Sequence, residues 1–124
     1  MRLGATVGMT EDEQAFMCLL GYVFLQNARP DKAAVVLAAL DALAPGQPRA
    51  LRALALAQLR SGKPERALGS LDRLAMAGGV DAAFHLLRAR ALGALARREE
   101  AAAAMQTYVA MRGAADVAST APAA

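Results

Sequence analysis

The sequence predicts an all-α fold, with three helix–turn–helix repeats stacked into a short right-handed solenoid. Composition points there first. Of 124 residues, 33 are Ala and 18 are Leu, with five aromatics and no Trp. Ala, Leu, Arg, Met and Glu are strong helix formers. The Val, Ile and aromatic runs that a sheet needs are missing. Spacing points there second. Pro30-Asp31-Lys32-Ala33, Pro64-Glu65-Arg66-Ala67 and Arg98-Glu99-Glu100-Ala101 place their alanines 34 residues apart, twice in succession. Helix start and stop residues fall in the same register.

The elements follow in order. Thr10 and Glu13 make a capping-box pattern that starts a first helix over 11–27. Its Met17, Leu20, Gly21 and Phe24 form the repeat's apolar-and-small pattern. Pro30 suits the first turn of a second helix, 31–43, which carries Ala33, Leu37 and Leu40. Pro45 closes that repeat, and Gly46 stands where a helix should stop. The third helix, 47–61, carries Leu51, Leu54, Ala55 and Gln58. Gly62 ends it, and Pro64 opens a fourth, 64–77, with Ala67, Leu71 and Leu74. Gly78 stands at its end, and Gly79 replaces the closing Pro. Asp81 is the expected N-cap of a fifth helix, 81–95. There His85 and Arg88 stand where apolar residues belong, followed by Ala89 and Leu92. A sixth helix, 98–112, carries Ala101, Met105 and Tyr108.

The spacing has a physical reason. Gly21, Ala55 and Ala89 let the first helix of each pair approach the second closely. Ala33, Ala67 and Ala101 do the same from the other side. One pair cannot bury its apolar face alone, so the pairs stack. The expected helical domain spans 10–112, in repeats of about 11–45, 46–79 and 80–112. Residues 1–9 are expected to be loose. Residues 113–124 are small, polar or Pro-containing, and are expected to form a disordered tail.

Several function classes fall away. The longest uncharged interior stretch, Gln14 to Ala28, is 15 residues long and carries Gln26 and Asn27. A bilayer span needs about 20 apolar residues, so no integral membrane segment is expected. The N-terminus lacks an apolar signal core. One Cys allows no internal disulfide and fits a reducing cytoplasm. One His, one Cys and scattered carboxylates make neither a metal set nor a catalytic constellation. No enzyme activity and no cofactor are expected. The acidic pairs Glu11–Glu13 and Glu99–Glu100 sit at helix starts, where the helix dipole favours them.

The 34-residue helix–turn–helix period is the signature of the tetratricopeptide repeat. In that architecture the first helix of each pair lines a concave groove. The register places Ala15, Cys18, Tyr22 and Leu25 there from the first repeat. Arg49, Arg52, Leu56 and Leu59 follow from the second, then Ala83, Leu86, Arg90 and Gly93. Charge is polarised along the chain. Residues 1–46 carry a net −2, 47–80 a net +4 and 81–112 a net +2, with Asp116 completing the total of +3. The groove is therefore expected to be apolar at one end and arginine-rich in the middle. Such a surface suits an extended or helical peptide with acidic side chains. Nucleic acid is not an expected partner, because the basic excess is small and no aromatic interleaving accompanies it. A clamp for the C-terminal carboxylate of heat-shock chaperones needs a Lys/Asn set. The corresponding positions here hold Cys18 and Tyr22.

Solenoids normally end in a helix with a polar outer face. Here Met105, Tyr108 and Val109 lie on the final helix with nothing in the sequence to cover them. They are expected to form a second, partner-covered face. The core is also thin, because each Ala buries little area.

Over residues 13–112 the sequence resembles the small Y-type chaperones of bacterial type III secretion systems (the YscY/SctY family). The resemblance rests on Leu19-Leu20-Gly21-Tyr22 through Ala38-Ala39-Leu40-Asp41-Ala42-Leu43-Ala44-Pro45. Leu71-Asp72-Arg73-Leu74 and Tyr108-Val109-Ala110-Met111 support it. It implies a bacterial cytoplasmic chaperone that binds a small secreted X-type protein and engages the export-gate protein at the inner membrane. A heterodimer is then expected rather than a homo-oligomer. A needle-subunit co-chaperone of the same system, or a tetratricopeptide scaffold outside secretion, are the alternatives.

Overall fold

Why six helices form is visible at their ends. The structure, a computed structural model, describes residues 8–120, with side chains through residue 117. The helices are α1 (Glu11–Gln26), α2 (Pro30–Leu43), α3 (Pro48–Arg60), α4 (Pro64–Met76), α5 (Ala82–Ala94) and α6 (Arg98–Thr120). The capping box at α1 is complete. Glu13 N–H donates to Thr10 Oγ1 at 3.1 Å, and Thr10 N–H donates to Glu13 Oε1 at 2.8 Å. Pro30, Pro48 and Pro64 each occupy the first turn of a helix, where a missing N–H costs nothing. Asp81 caps α5 by accepting from Phe84 N–H at 2.9 Å.

The turn inside each repeat is periodic too. Ala28, Gly62 and Ala96, 34 residues apart, all take left-handed backbone angles, with φ of 57°, 75° and 60°. In each case the next N–H reaches back five residues along the helix end. Arg29 donates to the Phe24 carbonyl, Lys63 to Gln58 and Arg97 to Leu92, at 2.8–2.9 Å. This is the closed C-terminal turn in which Gly is the usual residue. Gly46 and Gly78, between repeats, are left-handed as well.

Packing follows the pairs. Each helix packs on the next in sequence, while α3 also touches both α1 and α5. Among the described residues α2, α4 and α6 do not touch one another. The first helices of the pairs thus form a closed inner layer, and the second helices a splayed outer layer. Leu37, Leu40, Leu51, Leu71, Leu74 and Leu92 are fully buried between the layers. Ala33, Ala55 and Ala67 are fully buried as the close-approach residues that the register requires. At Gly21 a β-carbon would stand 2.6 Å from the Leu37 side chain, so only Gly admits α2 at this distance.

Two expectations are corrected. The sixth helix does not end near 112 but runs on to Thr120. Gly113 alone costs about 1 kcal/mol in a helix, and the helix-forming Ala114 and Ala115 follow it. The expected disordered tail is thus helical from 113 to 120, and its last residues, 121–124, lie outside the described residues. So do residues 1–7 of the expected loose N-terminus. Third-repeat packing is thinner than in the second. His85 and Arg88 are only half-buried, where the equivalent Leu51 and Leu54 are buried. His85 instead meets Phe84 edge-on, with ring centroids 5.1 Å apart.

Candidate protein-binding groove

The inner layer presents a continuous partly open strip. On α3 the buried positions are Ala50, Leu51, Ala53, Leu54, Ala55 and Ala57. That leaves Arg49, Arg52, Leu56 and Leu59 on the remaining side, one helical turn apart. Leu56 and Leu59 are half-buried against the core, and Arg49 is exposed. On α1, Cys18 and Tyr22 are half-buried and Ala15 is exposed. On α5, Ala83 and Leu86 are half-buried, and Arg90 and Gly93 are exposed. Each of the three inner helices thus leaves its register-predicted groove positions half-buried or exposed, apart from Leu25.

Two members differ from expectation. Leu25 is only 6% exposed and sits in a core cluster with Leu37, Ala53, Leu54 and Ala57. It supports Tyr22, which packs on the same cluster, and leaves almost no surface of its own for a partner. Arg52 is not a free cation. Its Nη2 donates to Asp81 Oδ2 at 3.0 Å, and its Nε is buried without a hydrogen-bond partner among the described residues. Because Asp81 also caps α5, this one carboxylate joins the second repeat to the third. The exposed positive charge of the groove then rests on Arg49 and Arg90.

Sequence reasoning missed the outer face. Asp41 is a buried acid that accepts from Gly46 N–H at 3.2 Å and pairs with Arg73. It joins the first turn between repeats to α4. Gln58 accepts from the Ser70 hydroxyl at 2.6 Å, tying α3 to α4. The signal for Asp41 was present, an acid five residues before a turn Gly, but its cation lies 32 positions away.

At the far end, Met105 is 39% and Val109 60% exposed, and Tyr108 is half-buried. Ala102, Met105, Gln106, Val109 and Ala110 line a shallow apolar depression on α6. At the start of α6, Arg97 donates two hydrogen bonds of 2.8 Å to Glu100. These bonds hold the Glu100 carboxyl below the usual carboxylate range, and the nearby positive charges of Arg97 and Arg88 add to the effect. No helix among the described residues is long and apolar enough to cross a membrane.

No curated protein matches the chain in sequence. The family model of the tetratricopeptide repeat matches residues 24–91, which run from the end of α1 through most of α5. These repeats serve protein–protein interaction. With more than half its length matched and three paired helices in a 34-residue register, the chain belongs to the tetratricopeptide repeat family.

Proposed function

We propose that this chain is a non-enzymatic chaperone and adaptor of a type III secretion system. It holds a small secreted X-type protein in the bacterial cytoplasm as a heterodimer, and presents it to the export-gate protein at the inner membrane. One observation carries the binding mode. Cys18, Tyr22, Leu56, Leu59 and Leu86, apolar residues at the groove positions of the inner helices, are half-buried, and Arg49 and Arg90 at such positions are exposed; we read them as one strip. A helical segment with apolar residues on one face and acids at its margin fits that strip. The apolar contacts supply most of the affinity, and the two arginines set orientation and speed encounter. The resemblance over residues 13–112 supports the secretion assignment.

The test is co-expression with an X-type protein, followed by co-purification and calorimetry. A one-to-one complex is expected, lost in Tyr22→Asp and in Leu56→Asp. Both side chains are partly exposed, so the variants should keep their helical circular dichroism. A complex that survives both variants places the partner elsewhere. A folded chain that ignores the X-type protein ends the secretion reading.

A further inference from the structure

The outer face of α1 is apolar and open. Phe16 is 63% and Leu19 59% exposed, and Val23 is exposed beside them. These three lie on one helical stripe, at i, i+3 and i+7. The repeat register identifies the stripe. One repeat on, the same positions are Ala50, Ala53 and Ala57. Two repeats on, they are Phe84, Leu87 and Ala91. All six are buried, none more than 7% exposed. In the third repeat Phe84 and Leu87 are covered by Leu71, Leu74, Leu68 and Ala75 of the preceding α4. The stripe is thus the face by which each repeat sits on the one before it. In the first repeat nothing among the described residues covers it, although it carries the same Phe and Leu as α5.

The mirror surface lies at the other end. Ala102, Met105 and Val109 of α6 are the 34-residue equivalents of Leu68, Leu71 and Ala75, the residues that receive Phe84 and Leu87. They line an open apolar depression. One end therefore carries the inserting face of an inter-repeat contact, and the other end carries the receiving face.

We propose that these two faces bind each other between copies of this chain, head to tail, so that α1 of one copy stacks on α6 of the next as α5 stacks on α4. The repeat register favours that occupant: the exposed stripe of α1 matches, position for position, the stripe that α5 inserts, and the open stripe of α6 matches the one that receives it. Consecutive helices run antiparallel, so the acidic first turn of α1 (Glu11, Asp12, Glu13) comes to the side of α6 where Arg112 lies. The contact is heterologous and does not close on itself, so it builds runs of copies rather than a symmetric dimer. It leaves the groove open, so each copy in a run still holds one partner as a heterodimeric unit, and it does not depend on what the groove binds.

Sedimentation of the full chain over a wide concentration range tests this. Association that rises with concentration is expected. Phe16→Glu with Leu19→Glu should weaken it at least about tenfold, and so should Met105→Glu with Val109→Glu, since each buries charge against an apolar face. All four positions are exposed, so helical signal and melting should hold. A charge-reversing Arg112→Glu gives a milder check that leaves the apolar faces alone. An equimolar mixture of the two double variants should form a dimer and nothing larger, because one intact pair of faces remains. A chain that stays monomeric at every concentration overturns the proposal. So does association that survives both double variants, or a mixture that stays monomeric, which would mark a symmetric contact.

Discussion

Leu74 and Tyr108 occupy the same position one repeat apart, yet one is sealed and the other half-open. Leu71 and Met105 differ in the same way. In the second repeat, α4 lies between α3 and α5, so both sides of its apolar stripe are covered. In the third, α6 has α5 on one side and no helix among the described residues on the other. Burial in a repeat protein is set by neighbours more than by residue type. The third repeat is also poorer in its own right, because His85 and Arg88 replace the leucines that the second repeat buries at 51 and 54.

The largest expected effect tests that contrast directly. Leu74→Ala empties a fully buried site and should cost about 3 kcal/mol of unfolding free energy. Met105→Ala, at the equivalent of Leu71, should cost under about 1 kcal/mol. Urea unfolding at a concentration too low for association measures both. Equal losses would mean that the open side of α6 is covered in solution.

A middle-sized effect concerns the joint between those repeats. Asp81 both caps α5 and pairs with Arg52. Asp81→Ala should cost about 1–2 kcal/mol, most of it from the lost cap. Asp81→Asn keeps a cap and loses only the partly exposed ion pair, so it should cost under about 1 kcal/mol. If the two variants unfold alike, the ion pair rather than the cap holds the third repeat to the second.

Much of this was legible in the sequence. Start and stop residues placed the first five helices to within a residue or two, because caps and left-handed turns are local chemistry. The 34-residue period located the pairs and the close-approach residues. Less local features were not legible. Arg52 and Asp81 are 29 positions apart, and Asp41 and Arg73 are 32 apart. A period of 34 says nothing about which offset side chains meet across a helix crossing. Leu25 was placed in the groove by its register with Leu59, which is half-buried. Yet it closes into the core, where Leu37 and the small Ala53 and Ala57 leave it room. The helical run of 113–120 was masked by a composition that also suits disorder.

The smallest effect reverses the usual sign and separates the second repeat from its neighbours once more. Gly62 holds its left-handed turn without strain, whereas Ala28 and Ala96 hold the same turn with a β-carbon. A left-handed conformation costs an L-residue about 1–2 kcal/mol. Replacing Ala by Gly returns part of that gain through the greater freedom of the unfolded chain, about 0.4–1 kcal/mol. Ala96→Gly should therefore stabilise the chain by roughly 0.5 kcal/mol, and Ala28→Gly by a similar amount, while Gly62→Ala should destabilise it by about as much. Thermal melting of the three variants reads the signs. A loss of stability in Ala96→Gly would mean that its methyl group packs more usefully than its exposed position suggests, and that the third repeat depends on each small contact it has.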